Sequence, residues 1–240
     1  LSAVRMISSG AAPLGKDLED AVSQRLSCIV YQGYGLTETS GASHINPAAP
    51  AAIKSGSVGP PVAHCLSRVV AVETGQDLGP NERGEIWIKG SFVMKGYLNN
   101  AEATANTIDS DGWFHSGDIG YVDDDGYFYI VDRLKELIKY KAYQVAPAEL
   151  EALLLTHPAI ADAAVIPSPD EAAGEVPKAF VVLKDEITPQ EIMDWVAGQV
   201  AFHKKVRRLE VVDEIPKSSS GKILRRVLVD RERQSLQTGS

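Results

Sequence analysis

The chain has 240 residues, of which 44% are hydrophobic and 23% are charged, so it can bury a sizeable core and is expected to form one to three domains. Its formal net charge of −8 argues against broad binding to nucleic acid, and it has no apolar run of the roughly 18 residues that a membrane-spanning helix requires. Cys28 and Cys65 lie far apart without a pairing or metal-binding pattern, so we predict no disulfide and, by elimination of targeting signals, a cytoplasmic location.

The N-terminal stretch is predicted to form a parallel β-α-β unit. Residues 4–8 are typical of a buried strand, and apolar residues between positions 14 and 26 recur at helical spacing. Residues 28–31 resume a strand, and the intervening helix implies that the two strands pair in parallel. One such unit cannot close a sheet by itself, so we expect it to be the remnant of a larger α/β domain.

A glycine-rich stretch follows the second of these strands. Gly33 and Gly35 flank Tyr34 and allow the backbone to approach a ligand, while Thr37 and Glu38 supply a hydroxyl and a carboxylate. Open α/β sheets bind ligands beyond the carboxyl ends of their strands, so this stretch is a candidate binding site. The alternative is an ordinary glycine turn, because no third glycine completes a dinucleotide-binding fingerprint.

The middle of the chain, residues 56–131, is predicted to be β-rich. Short apolar or alternating runs separated by Gly, Pro, Asn and Asp indicate a small antiparallel barrel or sandwich, with a short helix over 101–108. The acidic run 123–126 is interpreted as a hairpin turn without metal, because Tyr121 occupies the first position of a calcium loop. Asp118 is a candidate acceptor for a sugar diol. The predicted strands are 62–72, 84–89, 119–122 and 127–131.

The last part of the chain is predicted to be a small α+β domain. Its strands are expected at 160–166, 177–183 and 209–212, and its helices at 147–156, 188–200 and 223–233. The run Ser218-Ser219-Ser220-Gly221-Lys222 is similar to a phosphate-binding P-loop, but Pro216 and Ile223 stand where that motif needs glycine and Ser or Thr. What remains is a lysine on a flexible loop, suited to contacting an anion.

Five stretches together carry a family resemblance. They are 32–38 (QGYGLTE), 115–118 (HSGD), 132–139 (DRLKELIK), 144–151 (QVAPAELE) and 216–222 (PKSSSGK). In order and spacing the chain closely resembles the adenylate-forming enzymes, and within them the 4-coumarate:CoA ligases and their acyl-CoA synthetase and luciferase relatives. Members of that family carry a phosphate loop and most of a large α/β domain upstream, so the chain is expected to be the C-terminal part of a longer protein.

The resemblance implies a multi-domain α/β and α+β organisation. Residues 1–54 are expected to be an incomplete remnant of the large AMP-binding α/β domain, and residues 55–132 a barrel-like β-rich subdomain. A hinge is expected at 133–136, followed by a mobile C-terminal domain at 137–240.

The resemblance also assigns roles in nucleotide binding. Gly33, Tyr34 and Gly35 are expected to line the adenine and acyl pocket, with Tyr34 against the purine. Thr37 is expected to bind the α-phosphate and Glu38 the Mg²⁺ ion.

The remaining nucleotide contacts and the catalytic roles are implied in the same way. Asp118 and Arg133 are expected to hold the ribose hydroxyls, and Lys222 to bridge the carboxylate and α-phosphate oxygens while the acyl adenylate forms. Lys135 is the expected pivot about which the small domain rotates, so that Lys139 and Gln144 act in thioester formation.

The acyl pocket is implied only in part. Gly10, Ala11, Gly33 and Ser40 are small residues that leave room for an aryl or fatty acid. The family usually has Gly where Ala142 lies, beside the passage for pantetheine, and this departure bears on thioester formation.

Taken together, the resemblance implies an ATP-dependent carboxylate:CoA ligase acting on an aryl (4-coumarate-like) or fatty acid. ATP, coenzyme A and the small carboxylic acid are the expected substrates, AMP a product and Mg²⁺ the ion, with no prosthetic group and no nucleic-acid partner. The chain by itself is expected to be inactive without the upstream part of the same protein. A peptide-synthetase-type adenylation domain, a luciferase-like enzyme and a non-catalytic nucleotide-binding or interaction remnant stay open as alternatives.

Overall fold

A computed structural model describes residues 3–47, 49–219 and 221–238 of the chain. It divides into two compact units, Leu1–Leu134 and Lys135–Ser240, which we call unit 1 and unit 2. The division falls in the single 3-10 turn Leu134–Glu136, inside the segment predicted to be a hinge. Rotation about this turn stays a prediction.

Unit 1 begins with the predicted β-α-β unit. Strand β1 (Met6–Ser9) pairs in parallel with β2 (Ile29–Leu36), and helix α1 (Lys16–Leu26) connects them, which confirms the predicted unit. The prediction that the first strand is buried is wrong, because β1 stands at the end of its three-stranded sheet and its residues are exposed or half-buried. Strand β2 extends further than predicted and pairs antiparallel with β3 (Gly41–Ile45). Gly33 and Gly35 therefore lie within a strand rather than in a loop beyond it, because β3 supplies hydrogen-bond partners that a local pattern does not reveal.

Helix α1 is fixed to this sheet by a buried carboxylate. Glu19 is only 1% exposed, and it accepts hydrogen bonds from Gln32 Nε2 at 2.6 Å and from the Gly56 backbone N–H at 3.0 Å. A buried carboxylate is tolerated where donors surround it. The contact ties α1, β2 and the segment after β3 together.

The second sheet of unit 1 is an antiparallel meander in the order β4-β5-β6-β7. The predicted antiparallel pairing is confirmed, but across the described residues the sheet is open rather than closed into a barrel, since β4 and β7 stand at its two ends. The acidic run after β6 forms the predicted hairpin turn, in which Asp123 accepts from the backbone N–H groups of Asp125 and Tyr127. The elements are β4 (Leu66–Val70), β5 (Gly84–Lys89), helix α2 (Ala101–Thr107), β6 (Phe114–Val122) and β7 (Phe128–Arg133).

Unit 2 is an α+β domain built on one five-stranded sheet. The long strands β10 and β11 pair antiparallel, and the other edge of β11 carries β8 near its start and β12, in parallel, further along. Every predicted element is present, with shifted ends. The elements are β8 (Ile138–Tyr140), β9 (Tyr143–Val145), α3 (Pro147–Leu155), β10 (Ile160–Asp170), β11 (Gly174–Leu183), α4 (Pro189–Ala197), β12 (Arg208–Val211) and α5 (Arg225–Thr238).

The helices of unit 2 follow local signals closely. Thr188 accepts from the Glu191 backbone N–H, and the Glu191 carboxylate accepts from the Thr188 N–H, so the predicted capping box is confirmed. Leu150, Leu154 and Ile192 of α3 and α4 are fully buried against the sheet. The hairpin of β8 and β9 was not predicted, because three-residue strands are too short to show a period.

Two further observations concern the whole described chain. Cys28 and Cys65 are free and buried, and burial raises the pKa of the Cys65 thiol to about 11. Among the described residues we find no helix with the length and apolar character to span a membrane.

A buried histidine in unit 1 leads to a prediction about pH. His44 packs between the rings of Tyr34 and Phe128, and burial lowers its pKa from 6.5 to about 3. The unfolded chain takes up this proton below pH 6.5 and the folded chain does not. Stability present above pH 6.5 is therefore lost as the pH falls towards 3, by about 2 kcal/mol between pH 6.5 and 4.5.

Urea denaturation at pH 7 and pH 4.5 checks this expectation. Tryptophan fluorescence reports on unit 1 through Trp87 and Trp113 and on unit 2 through Trp195, so the comparison with a variant isolates the contribution of His44. The variant His44→Leu, which has an apolar side chain at the site, should lose about 2 kcal/mol less free energy of unfolding than the wild type over this interval. An identical pH dependence in both proteins would show that another group controls acid stability.

Candidate active site

Unit 1 brings together three of the predicted nucleotide-binding residues around one buried carboxylate. The Tyr34 hydroxyl donates to Asp118 Oδ2 at 2.6 Å, and Arg133 Nε donates to Asp118 Oδ1 at 3.0 Å. Asp118 is 6% exposed, whereas the Arg133 side chain is 45% exposed. Each carboxylate oxygen retains further acceptor capacity, which suits Asp118 to accept additional hydroxyl donors.

The protonation of Tyr34 is fixed by the same contact. Burial raises the pKa of Tyr34 well above its usual value of 10.0, and the Asp118 carboxylate raises it further. The phenol therefore stays protonated and donates to Asp118. Because the hydroxyl is bonded to Asp118, the ring face is the part of Tyr34 that can contact a base.

The candidate magnesium ligand lies on the 3-10 turn Thr37–Thr39, directly after β2. Glu38 is half-buried, and its Oε1 accepts a hydrogen bond from the Tyr97 hydroxyl at 2.9 Å. Within the described chain no group of three His, Cys, Asp or Glu side chains is arranged to hold a metal. One oriented carboxylate nevertheless fits Mg²⁺ bound mainly through phosphates, since such sites use one or two carboxylates.

The small residues of the expected acyl pocket lie near the carboxyl ends of β1 and β2. A Cβ at Gly10 would lie 3.4 Å from the Gly33 carbonyl oxygen, so these two glycines are adjacent. Ala11 adopts a left-handed φ of 70°. Ser40 lies on the turn after Thr39, where its hydroxyl donates to the Phe92 carbonyl at 2.8 Å. Thr37 is exposed.

Glycine is required at Gly35 for packing rather than for backbone freedom. A Cβ there would lie 1.9 Å from the Gly41 carbonyl oxygen of β3, a clash that no side-chain movement relieves. The close approach of β2 and β3 at the end of the glycine-rich stretch therefore depends on this residue.

In unit 2, Lys222 is exposed on a loop whose base is hydrogen-bonded. The Ser218 N–H donates to the Lys222 carbonyl at 2.9 Å, and the Leu224 N–H donates to the Pro216 carbonyl at 2.8 Å. Lys217 forms an ion pair with Asp162 of β10 at 2.6 Å. Ser220, also part of the predicted loop, lies outside the described residues.

Lys139 and Gln144 are direct cross-strand partners on the hairpin of β8 and β9, and both are exposed. This hairpin attaches to the start of β11, where Tyr140 pairs with Gly174 and the Lys141 N–H donates to the Ala173 carbonyl at 2.8 Å.

The hairpin and the Lys222 loop are attached at opposite ends of the ladder of β10 and β11. Gly174 pairs with Asp170 at one end of β10, whereas Lys217 contacts Asp162 near the other. Eight residues separate these two aspartates, or roughly 27 Å at about 3.4 Å per residue.

An aromatic and basic surface beside the hairpin was missed by sequence reasoning. The ring of Tyr143 stacks on that of His203 with centroids 4.3 Å apart, and the Arg207 guanidinium lies over the Phe202 ring at 4.5 Å. The concentration of Lys and Arg after position 202 was the available signal. Only the tertiary fold brings these residues beside the hairpin of β8 and β9.

Comparison with known proteins identifies the family. Residues 1–98 match the family profile described as AMP-binding enzyme, and residues 149–222 match that of the AMP-binding enzyme C-terminal domain. The chain is 55% identical to a 4-coumarate-CoA ligase of Pinus taeda, covering 96% of this chain and 44% of that protein. It is 53% identical to 4-coumarate-CoA ligase 1 of Glycine max, covering 95% of this chain and 80% of that protein. The chain belongs to the AMP-binding, adenylate-forming enzymes and is 4-coumarate-CoA ligase-like.

Solved structures of adenylate-forming enzymes agree with this assignment. The anthranilate CoA ligase AuaEII in complex with anthranoyl-AMP matches with a TM-score of 0.88 at 30% identity, covering 99% of this chain and 46% of that one. The o-succinylbenzoate CoA synthetase of Bacillus subtilis in complex with ATP and magnesium matches with a TM-score of 0.82 at 34% identity. The match covers 92% of this chain and 46% of that one. The chain thus spans somewhat less than half the length of several relatives.

The departure from the adenylate-forming family at Ala142 has a simple structural context. The turn of the hairpin consists of Lys141 and Ala142, and the left-handed φ of 53° falls on Lys141. Ala142 does not have a positive φ, so its methyl group imposes no strain on the backbone here. The shape of the hairpin does not depend on glycine at this position.

Proposed function

We propose that the complete protein carrying this chain is an AMP-forming carboxylate-CoA ligase that works in two half-reactions. In the first, a carboxylate oxygen of the acid attacks the α-phosphorus of ATP, and the bond to pyrophosphate breaks. In the second, the sulfur of coenzyme A attacks the acyl carbon, AMP leaves with the bonding electron pair, and the thiol proton is lost. The observation that carries the two-step proposal is the attachment of the Lys222 loop and the Lys139 and Gln144 hairpin at opposite ends of one ladder.

In the first half-reaction, unit 1 holds the nucleotide. Asp118, oriented by Tyr34 and Arg133, accepts hydrogen bonds from the ribose hydroxyls, and the Tyr34 ring lies against the base. Thr37 contacts the α-phosphate, and the backbone of Gly33 and Gly35, which packs closely against β3, lines the adenine and acyl pocket. Bound Mg²⁺, with Glu38 as a protein ligand, would neutralise phosphate charge.

Lys222 acts on the developing negative charge of the same step. Its exposed ammonium is carried on a loop with a fixed base, so it can be placed between the acid and the α-phosphate without reorganising the strands. Charge stabilisation by an oriented donor is among the largest contributions to catalysis. Lys222 is therefore proposed as the catalytic residue of adenylate formation.

In the second half-reaction, unit 2 presents the hairpin. Lys139 and Gln144 are proposed to contact the reacting thioester region, with Lys135 as the pivot that exchanges one face for the other. The basic and aromatic surface beside the hairpin suits the phosphates and adenine of coenzyme A, because Arg207 supplies charge and His203 with Tyr143 an exposed ring stack. The unstrained Ala142 is compatible with this step.

The substrate is proposed to be an aryl carboxylic acid resembling 4-coumarate. The names of the 4-coumarate-CoA ligases reported above support this choice over a fatty acid. Among the described residues of unit 1, no contact favours luciferase-like chemistry or a peptide-synthetase adenylation domain. We retain the cytoplasm as the proposed location, because both cysteines are free.

The proposal is tested by supplying the complete protein with ATP, Mg²⁺, coenzyme A and either 4-coumarate or a fatty acid. Pyrophosphate release and a CoA thioester detected by mass spectrometry are the expected results, with 4-coumarate the better acid. Pyrophosphate release without thioester would favour another adenylating enzyme. Absence of both products would favour a non-catalytic role.

The same assay applied to residues 1–240 alone should give only background pyrophosphate. The family resemblance implies that a loop upstream of this chain positions the phosphates, and positioning supplies much of the rate enhancement in phosphoryl transfer. The complete protein at equal concentration is the control. Turnover by the isolated chain at a comparable rate would show that its own residues position the phosphates.

A further inference from the structure

The pairing of β6 with β5 is interrupted at residues 116–118, which include Asp118. On β5, Glu85 pairs with Ile119 and Trp87 pairs with His115, so the three residues 116–118 of β6 stand opposite Ile86 alone. Extra residues of this kind form a β-bulge, which redirects side chains and is common near active sites. The bulge thus sets the direction in which Asp118 points.

Gly117 provides the backbone conformation that the bulge requires. Its φ is +68°, and a Cβ at this position would meet no atom within 4 Å. Glycine is therefore favoured by the left-handed conformation rather than by lack of space. A conformation held only by glycine is flexible unless another group fixes it.

The Glu85 carboxylate supplies that fixation. Its Oε1 accepts the Gly117 backbone N–H at 2.8 Å, and its Oε2 accepts the Trp87 indole N–H at 2.8 Å. Hydrogen bonds to a carboxylate are stronger than those between neutral groups. One oxygen holds the bulge, while the other holds the Glu85 side chain against its own strand.

The bulge is also braced next to Gly117 on each side. The Asp118 N–H donates to Ser116 Oγ at 3.0 Å, and the His115 ring stacks on Trp87 with centroids 3.7 Å apart. Trp87 therefore contacts both Glu85 and His115, the residue that precedes the bulge. Glu85 does not contact Asp118 directly and acts through the Ser116–Gly117 peptide unit, whose N–H group it accepts.

We infer that Glu85 is a positioning residue for nucleotide binding, which fixes the Asp118 carboxylate by holding the Gly117 N–H. The inference rests on the proposed function, since it assumes that Asp118 accepts the ribose hydroxyls. It adds a second carboxylate, on a different strand, to the set that determines nucleotide affinity.

The variant Glu85→Gln in the complete protein tests the inference. A glutamine side chain is neutral and has one acceptor group, so a bond that it accepts from the Gly117 N–H is no longer charge-assisted, and it cannot accept from both Gly117 and Trp87. We expect the Kd for AMP, measured by calorimetry, and the KM for ATP to rise about 10-fold, the effect of losing one charge-assisted hydrogen bond. The kcat at saturating ATP and the KM for the acid should change less than about twofold.

Two control variants separate positioning from general damage. Trp87→Phe removes the indole donor but keeps an aromatic ring and the Gly117 bond, so the Kd for AMP should stay within about twofold. Glu82→Gln alters a comparable carboxylate, which accepts the Gly79 N–H at 2.7 Å in an exposed turn, and should have no effect on AMP binding.

A second variant keeps the test informative if Glu85→Gln folds poorly. Gly117→Ala disfavours the left-handed conformation directly and should raise the Kd for AMP by a similar factor, with the double variant less than additive because both changes act on one bulge. Unchanged AMP binding in a folded Glu85→Gln protein would overturn the inference, as would full additivity. Failure of the wild type to bind AMP would instead overturn the proposed function.

Discussion

Lys222→Ala is expected to lower acyl-adenylate formation by about 100-fold or more in the complete protein, the scale of losing one oriented charge-stabilising donor. The same variant should still convert a supplied acyl adenylate to the thioester at close to the wild-type rate. The reason lies in unit 2, where the Lys222 loop and the hairpin with Lys139 and Gln144 are attached at opposite ends of one ladder. Adenylate formation then does not need Lys139 and Gln144, and thioester formation does not need Lys222.

Single-turnover assays measure each half-reaction alone. Supplied adenylate with coenzyme A measures thioester formation, and pyrophosphate release from ATP and the acid measures adenylate formation. Gln144→Ala should show the reverse pattern, with adenylate formation retained and thioester formation reduced by about 10-fold or more. Lys184→Ala is a matched control, because Lys184 is an exposed lysine directly after β11 in the same unit. Equal loss of both half-reactions in Lys222→Ala would contradict alternation and indicate that Lys222 has a structural role.

Lys178→Met is expected to destabilise unit 2 by about 3–5 kcal/mol, the cost of leaving a buried charge without its partner. Lys178 on β11 forms ion pairs with Glu232 of α5 and with Glu210 of β12, the latter at 2.8 Å, and the Glu232 side chain is only 4% exposed. Burial would raise the pKa of Glu232, but Lys178, Ser168 and Arg208 outweigh it and lower the pKa. Loss of Lys178 removes the largest of these opposing contributions and leaves the buried Glu232 carboxylate with Ser168 and Arg208 only.

Amide hydrogen exchange in β11 measures this loss, and exchange in β5 of unit 1 serves as an internal control. The double variant Lys178→Met/Glu232→Leu removes both charges and should recover most of the stability, because a buried ion pair is often replaceable by apolar side chains. If the double variant were as unstable as Lys178→Met, packing of the lysine stem rather than the unpaired carboxylate would explain the effect.

Several elements were predictable because their signals are local. The apolar period of α1 lies between two strands, and the capping box of Thr188 and Glu191 marks the start of α4. The hairpin between β6 and β7 follows from the turn chemistry of its acidic run. In each case the residues that decide the structure are close neighbours in the sequence.

Other features were not predictable because distant strands create them. The continuation of β2 through Gly33 and Gly35 needs β3 as a partner, and the bulge at residues 116–118 needs β5. The sheet of β4 to β7 is open because its end strands are not paired with each other among the described residues, which alternation of apolar residues does not reveal. The turn of Lys141 and Ala142 has no glycine or asparagine to mark it.

The sequence by itself determined the family and the identity of the candidate site residues, because its motifs keep their order and spacing over nearly the whole chain. Only the tertiary structure decided that the Tyr34 hydroxyl is bonded to Asp118, 84 positions away, and that Glu85 fixes the bulge beside it. It also decided that the Lys222 loop and the hairpin are attached at opposite ends of one ladder. These relations arise from strand pairing between distant segments, and local patterns of polarity carry no information about which strands meet.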